Sequence, residues 1–175
     1  QPFLLEARMG KFALAFSGNI INHQELRDEL LKKGASFSSS HQVELLAKLI
    51  ADTKSIEEGL KSLANRIRGS YSIVILAQDG TVYAMRDPLG VKPLVAGANP
   101  SGVCVASESA ALNGLGMKIV RDIEPGGIYA LKPTGISRIA LMESERAAFC
   151  AFEYAYTARL DSVIEGIPVV TARNN

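Results

Sequence analysis

An α+β fold is predicted by three observations along the chain. Helical periodicity is confined to residues 21–68, strand-like apolar runs occupy residues 71–141, and short turn signals separate most of those runs. The 175 residues suit one domain with a sizeable core, and a 47% hydrophobic share is ordinary for a globular chain. No apolar run approaches the length of a membrane span, so no membrane partner is expected. A net charge of +1 with Lys and Arg scattered argues against nucleic-acid binding. Cys104 and Cys150 form no CxxC pair and no disulfide framework. With no signal peptide read at the start, a reducing, cytoplasmic location is expected.

The elements follow in order. Lys11–Phe16 is an apolar strand running into a Ser17-Gly18-Asn19 turn. Ile21, Leu26 and Leu30 fall near helical spacing, and Gly34 is placed to close that helix. A polar run over residues 36–41 leads into a second helical pattern over residues 43–50. Ser55 is a candidate N-cap for a third helix, with Glu57 and Glu58 in its first turn and Arg66 and Arg68 at its end, matching the helix dipole. Residues 71–77 and 81–86 read as a hairpin about Asp79-Gly80, and 94–97 and 103–106 as a pair about Pro100-Ser101-Gly102. Residues 127–131 and 136–141 read as a third pair, turning at Thr134-Gly135. Ser107-Glu108-Ser109 opens a short helix that Ser107 or Glu108 is expected to cap. Residues 142–175 carry less strand signal and read as a connector leaving the sheet.

Ser17-Gly18-Asn19 is the first candidate site. A turn at the end of a buried strand can aim backbone N–H groups at one point, and Gly18 permits close approach of a ligand or of another backbone. Both an oxyanion hole and an ordinary strand-to-helix connection are built this way, and these residues alone leave the choice open.

Several motifs together resemble one family. They are Ser17-Gly18-Asn19-Ile20, the stretch Glu25 to Leu30, Gly69-Ser70-Tyr71-Ser72, the stretch Arg86 to Leu94, Ala106-Ser107-Glu108-Ser109, Asp122-Ile123-Glu124-Pro125-Gly126 and Phe152-Glu153-Tyr154. In this order they resemble the class II glutamine amidotransferases, in the branch of the amidophosphoribosyltransferases of purine synthesis. The resemblance implies an N-terminal-nucleophile hydrolase-like αββα sandwich of two antiparallel sheets, here lacking the first segment of that fold. It divides the chain into a glutaminase-like domain, residues 1–145, and a connector, residues 146–175, toward a phosphoribosyltransferase half absent from this chain.

Family chemistry implies an amino-terminal cysteine whose thiolate attacks the glutamine carboxamide, with its own α-amine moving the proton. Gln1 carries no nucleophile, and the nucleophile segment is expected upstream of it. At the oxyanion-hole position the family's usual His-Asn-Gly-Asn is Phe16-Ser17-Gly18-Asn19 here. Gly18 can still donate, but Ser17 replaces an Asn side chain, and losing such a donor costs roughly 3 kcal/mol of transition-state stabilisation. At the substrate pocket, with Asn19, the usual Ser-Asp-Thr-Glu is His41-Gln42-Val43-Glu44. Neutral Gln42 replaces the Asp that holds the substrate's α-ammonium, so a charge-assisted contact falls to about half its strength. Glu44 reads as structural. The chain as given is therefore expected not to hydrolyse glutamine. Two alternatives stand beside this: a fragment or subunit of an active amidophosphoribosyltransferase, and a small-molecule-binding module using the remnant pocket.

Cys104, between two valines, reads as a buried core thiol. Cys150, just before Phe152-Glu153-Tyr154, matches one ligand position of the family's [4Fe–4S] cluster, which needs about four thiolates. No cofactor is expected in this chain, and a cluster or Mg only in a longer family member. His23 and His41 lack ligand-spaced partners and read as solvated. The Arg86-to-Pro93 and Glu124-Pro125-Gly126 motifs read as rigid turns. A sandwich without its first strands would leave Phe12, Leu14, Phe16 and residues 71–77 uncovered. A partner is therefore expected: an upstream Cys-bearing segment, a transferase half, or a second copy.

Overall fold

The structure, a computed structural model, describes residues 1–144 and 146–174. The expected domain boundary at residue 145 and the last residue, 175, lie outside them. The backbone follows two antiparallel sheets between helical layers, as the fold class requires. In spatial order the large sheet is β1 (Phe3–Ala7), β2 (Gly10–Ile20), β3 (Gly69–Ala77), β4 (Val82–Arg86), β8 (Gly127–Lys132) and β9 (Gly135–Leu141), and the small one β6 (Gly102–Ala106), β5 (Val95–Asn99) and β7 (Lys118–Asp122).

The chain begins with a hairpin, β1 (Phe3–Ala7) and β2 (Gly10–Ile20), paired from Ala7↔Gly10 to Phe3↔Leu14. Sequence reading missed β1, because its alternation is short and its outward residues include an apolar one, Leu4, which is 75% exposed. Three helices follow: α1 (His23–Lys32), α2 (Gln42–Ala51) and α3 (Ile56–Arg66). Gly34 ends α1 with a φ of +88°, as a C′ glycine does. Ser55 caps α3 by accepting the Glu58 N–H at 3.1 Å, and Glu58 reaches back to the Lys54 N–H. Ser55→Ala is expected to lower stability by about 1 kcal/mol. The check is a reduced urea midpoint at unchanged slope, and an unmoved midpoint would show that the cap contributes nothing.

β3 (Gly69–Ala77) pairs along β2 from Phe12↔Ala77 to Ile20↔Gly69, and β4 (Val82–Arg86) returns after the Asp79-Gly80 turn. β5 (Val95–Asn99), β6 (Gly102–Ala106) and β7 (Lys118–Asp122) make the small sheet. β7 escaped sequence reading because every residue in it is exposed, leaving no alternation to see. Helix α4 (Ser109–Gly114) packs on the far face of that sheet, where Leu112 lies against Gly97. β8 (Gly127–Lys132) and β9 (Gly135–Leu141) complete the large sheet.

Strand alternation then sorts the core. Phe12, Leu14, Ile20, Ile73 and Ile75 face the helices with Leu46, Ile50 and Leu60. Val74, Val82, Ala84 and Leu131 face the small sheet with Leu94 and Ala96. The expectation that Phe12, Leu14 and the 71–77 strand need a cover from outside is corrected here, whereas Phe16 is half-buried and stays partly open. Phe12 is 2% and Leu14 0% exposed beneath this chain's own helices, and Leu76 is the residue of that strand left open, at 51%. Cys104 is half-buried on β6 rather than enclosed, since Val103 and Val105 take the inter-sheet face and turn it outward.

Residues 146–174 do not leave the sheet. They fold back as a strap containing a π-helical turn (Glu153–Thr157), a hairpin of β10 (Val163–Ile164) and β11 (Ile167–Pro168), and α5 (Val169–Asn174). Ala158, Ile164 and Val169 give the strap its own small core beside Tyr154. The expected capping of α4 by Ser107 or Glu108 is also corrected: neither side chain caps it, and Ser162 Oγ of the strap accepts the Ala110 N–H at 3.3 Å. Glu108 instead accepts from Arg159 N–H and Ser162 Oγ, and Ser109 Oγ accepts Val163 N–H, tying the strap to the small sheet. Those partners lie more than 50 residues away in sequence, so local reading assigned the side chains to the nearest helix.

Candidate functional site

β1 stops at Phe3, opposite Leu14, so the edge of β2 beyond it has no strand partner on that side. Two side chains cover part of that edge. Gln1 Oε1 accepts the Phe16 N–H at 2.6 Å, and Gln42 Oε1 accepts the Ile20 N–H at 2.8 Å. Gly18 lies between them, and its N–H points the same way. The residue opposite it on β3, Tyr71, has its backbone groups turned to Asp87, accepting from Asp87 N–H and donating to Asp87 Oδ2. In an antiparallel ladder this makes Gly18–Tyr71 a non-hydrogen-bonded pair, so the Gly18 N–H faces outward from β3. It opens on a cleft of about 510 Å³ whose walls include Gln1, Phe16, Gly18, Asn19, His41 and Gln42.

Ser17-Gly18-Asn19 is not the turn that the sequence suggested; all three residues lie within β2. Gly18 has a φ of +134°, and a Cβ there would stand 2.1 Å from Ser70 O and 2.7 Å from Tyr71 Cα. The close approach that demands glycine is therefore that of β3. Gly69 mirrors it, with a Cβ position 2.1 Å from Asn19 O.

The orientation of Gln42 is forced. The Ile20 N–H can only donate, so Gln42 presents Oε1 to it and Nε2 to its neighbours. That nitrogen donates to Asn19 Oδ1 at 3.0 Å and to Ile20 O at 3.3 Å. Asn19 is left with its Nδ2 donors directed elsewhere, and it is exposed at the cleft. The structure thus gathers Gly18, Asn19 and Gln42 around one cleft but separates Ser17 from them. Ser17 lines a second, largely apolar space of about 260 Å³ at the end of the inter-sheet layer, with Ala15, Val74, Leu94 and Val105. His41 is exposed at the rim. His23, expected to be solvated, is half-buried with Nδ1 3.0 Å from Ile20 O.

The cleft wall before α2 is held by a group whose partners the sequence did not reveal. Glu44 is buried, and its carboxylate accepts four hydrogen bonds, from the N–H and Oγ of Ser38 and of Ser39, at 2.8–3.0 Å. Burial pushes its pKa up, but the bonds from Ser38 and Ser39 outweigh that and bring it to about 2. A Glu at the third position of a helix, preceded by serines, was the available signal. It resembles a capping box whose serines stand before the N-cap, His41.

Behind β3 stands the rigid turn. The Asp87 carboxylate accepts N–H bonds from Tyr71, Leu89, Gly90 and Val91. Buried Arg86 donates to the carbonyls of Lys92, Ile123 and Gly90. Its Nη2 also lies 2.6 Å from Glu165 Oε1, an ion contact without hydrogen-bond geometry. Asp122 is raised by burial and by the Glu165 charge, against the pull of Arg86. Lys92, raised by its bond to Glu153 at 2.8 Å, makes a second tie to the strap. With two thiols in the whole sequence, Cys104 and Cys150, the chain's own residues do not make the four-thiolate set of a cluster. Among the described residues no group of three His, Cys, Asp or Glu side chains could hold a metal ion.

Helices against a six-stranded antiparallel sheet, a second sheet and a further helix make the αββα sandwich of the N-terminal-nucleophile hydrolases. Residues 1–114 match the profile of the glutamine amidotransferase domain, and the chain belongs to that family. An amidophosphoribosyltransferase of Archaeoglobus fulgidus is 38% identical over 99% of this chain and 39% of its own length. That of Methanothermobacter thermautotrophicus is also 38% identical, over 100% of this chain and 38% of its own. The solved glutamine phosphoribosylpyrophosphate amidotransferase of B. subtilis, in complex with ADP and GMP, superposes with a TM-score of 0.89 at 31% identity. That superposition covers 99% of this chain and 38% of the solved one. The chain therefore spans about two fifths of the relatives it matches. No helix of the described residues is long and apolar enough to cross a membrane.

Proposed function

We propose that the cleft between β2 and α2 binds small carboxamides of the glutamine type, as the glutaminase pocket of an amidophosphoribosyltransferase-like protein, and that residues 1–175 by themselves do not hydrolyse them. The observation that carries this reading is the Gly18 N–H, directed into a cleft whose walls hold no thiol. A carboxamide oxygen seated there would accept that N–H, in the position where an oxyanion would develop during acyl transfer. Attack needs a nucleophile within reach, and the one hydroxyl side chain of the wall, Ser39 Oγ, donates to the Glu44 carboxylate. Ser17, on the inter-sheet side, supplies no second donor.

The test is calorimetry with glutamine alongside an ammonia-release assay on the same sample. Saturable binding without ammonia is the expected result. Ammonia release would overturn the inactive reading. It would favour the second one, a piece of a working amidophosphoribosyltransferase, which draws its support from relatives more than twice the length of this chain. A cytoplasmic location, a thiol-bearing or transferase partner, and any cluster or Mg belong to that second reading.

A further inference from the structure

The strap of residues 146–174 belongs to neither main core. Its cluster of Ala158, Ile164 and Val169 stands apart from the two larger ones, and among the described residues no member of those lies in the strap. Its ties to the body include two ion contacts, Glu153 to Lys92 at 2.8 Å and Glu165 to Arg86 at 2.6 Å. Glu165 is an unusual choice for its place. It opens the two-residue Glu165-Gly166 turn between β10 and β11, and both residues have a positive φ, +51° and +79°. Such a turn favours Asn, Asp or Gly at its first position, where a longer side chain meets the left-handed penalty. Docking also sets the Glu165 charge beside Asp122, whose carboxyl is pushed up by burial and by that charge. What Glu has and Asn, Asp or Gly lacks is reach: its carboxylate meets a guanidinium that is 1% exposed.

We infer that the strap is a latch. It opens and closes on the body as one unit, held shut by Glu165 on Arg86 and Glu153 on Lys92, and its opening uncovers those two cations. The turn conformation of Glu165 and the like charge of Asp122 favour the open state, and the two ion contacts favour the closed one. Opposed contributions of this kind suit an element with two discrete arrangements rather than a segment of a core. Opening leaves both sheets in place, because neither large cluster includes a strap residue among those described. Arg86 is not stranded when Glu165 leaves. It keeps the carbonyls of Lys92, Ile123 and Gly90, so the turn of residues 86–92 outlasts the strap's departure. The strap likewise keeps bonds of its own, from Ala158 N–H to Glu153 O and from Val169 N–H to Ser162 O, which is why it moves as a unit.

Hydrogen exchange of the 175-residue chain, followed by mass spectrometry, tests this. Strap peptides holding the amides of Ala158 and Val169 are expected to exchange together, at least about tenfold faster than peptides of β3 and β8. Glu165→Gln keeps the side-chain length and removes the charge. It is expected to speed exchange across the whole strap by about a further tenfold while β3 and β8 keep their rates. Glu153→Gln is expected to act on the same unit from its other half, loosening the β10–β11 hairpin as well as its own turn. Strap amides as slow as those of β3 overturn the inference, since the strap would then open only with the whole fold. A substitution that speeds exchange at its own turn alone also overturns it, because the strap would then fray piecemeal. Unchanged rates in both variants would show that these ion contacts do not hold the strap. The unaltered chain and Glu153→Gln decide the matter even if Glu165→Gln fails to fold.

Discussion

Gly18→Ala is expected to cost about 3 kcal/mol or more, the scale of a severe steric or backbone defect in a packed region. The added Cβ would lie 2.1 Å from Ser70 O, and that atom belongs to the backbone of a central strand rather than to a side chain that can swing away. Relief requires β2 and β3 to separate around their Gly18↔Tyr71 pair, which also moves the N–H that faces the cleft. Gly80→Ala provides the control. Gly80 has a φ of +82° but open space around its Cβ position, so only the backbone penalty of about 1–2 kcal/mol applies. Urea unfolding of both variants measures the difference. Equal losses would show that the tight approach of β3 does not determine the residue at position 18.

Acidification is expected to remove about 3 kcal/mol of stability through Glu44, because its carboxyl is held at about 2 in the folded state against a reference of 4.5. A folded pKa below the unfolded one means that this stabilisation is fully present above pH 4.5 and is lost as pH falls toward 2. About 2 kcal/mol of it is gone by pH 3. Unfolding at pH 7 and pH 3, for the unaltered chain and for Glu44→Gln, separates this group from the other carboxylates. The variant should start less stable and fall less steeply. A variant with the same pH dependence as the unaltered chain would show that the four serine bonds do not set the Glu44 carboxyl. The loop they hold is one wall of the cleft, so the weakening should also appear as looser ligand binding below pH 4.

Gly18 and Glu44 illustrate how far the sequence could be read. Position 18 was visible as a glycine where something comes close, and position 44 as a Glu near the start of a helix. What approached each was not visible. The neighbours of Gly18 are Ser70 and Tyr71, and which residues of β3 stand opposite β2 depends on strand register, which no local pattern states. Glu44 lies only five and six residues from Ser39 and Ser38, yet the loop must turn back across the helix start before they meet. Ser17 was paired with Gly18 because they are adjacent, whereas successive strand residues point to opposite faces and the two open on different spaces.

The sequence by itself determined the α+β class, the three amphipathic helices with the Gly34 stop and the Ser55 cap, the Asp79-Gly80 hairpin and the family motifs. These are written in spacings of two to four residues, the range over which one turn or one pleat acts. Tertiary structure alone decided the rest. It added β1 and β7, which lack a clean apolar face. It laid the strap of residues 146–174 back on Arg86, Lys92 and Glu108, and it directed the Gly18 N–H into the cleft. Each of those depends on a partner far along the chain, and a buried donor, acceptor or charge takes its role from whichever partner the packed backbone brings within about 3 Å.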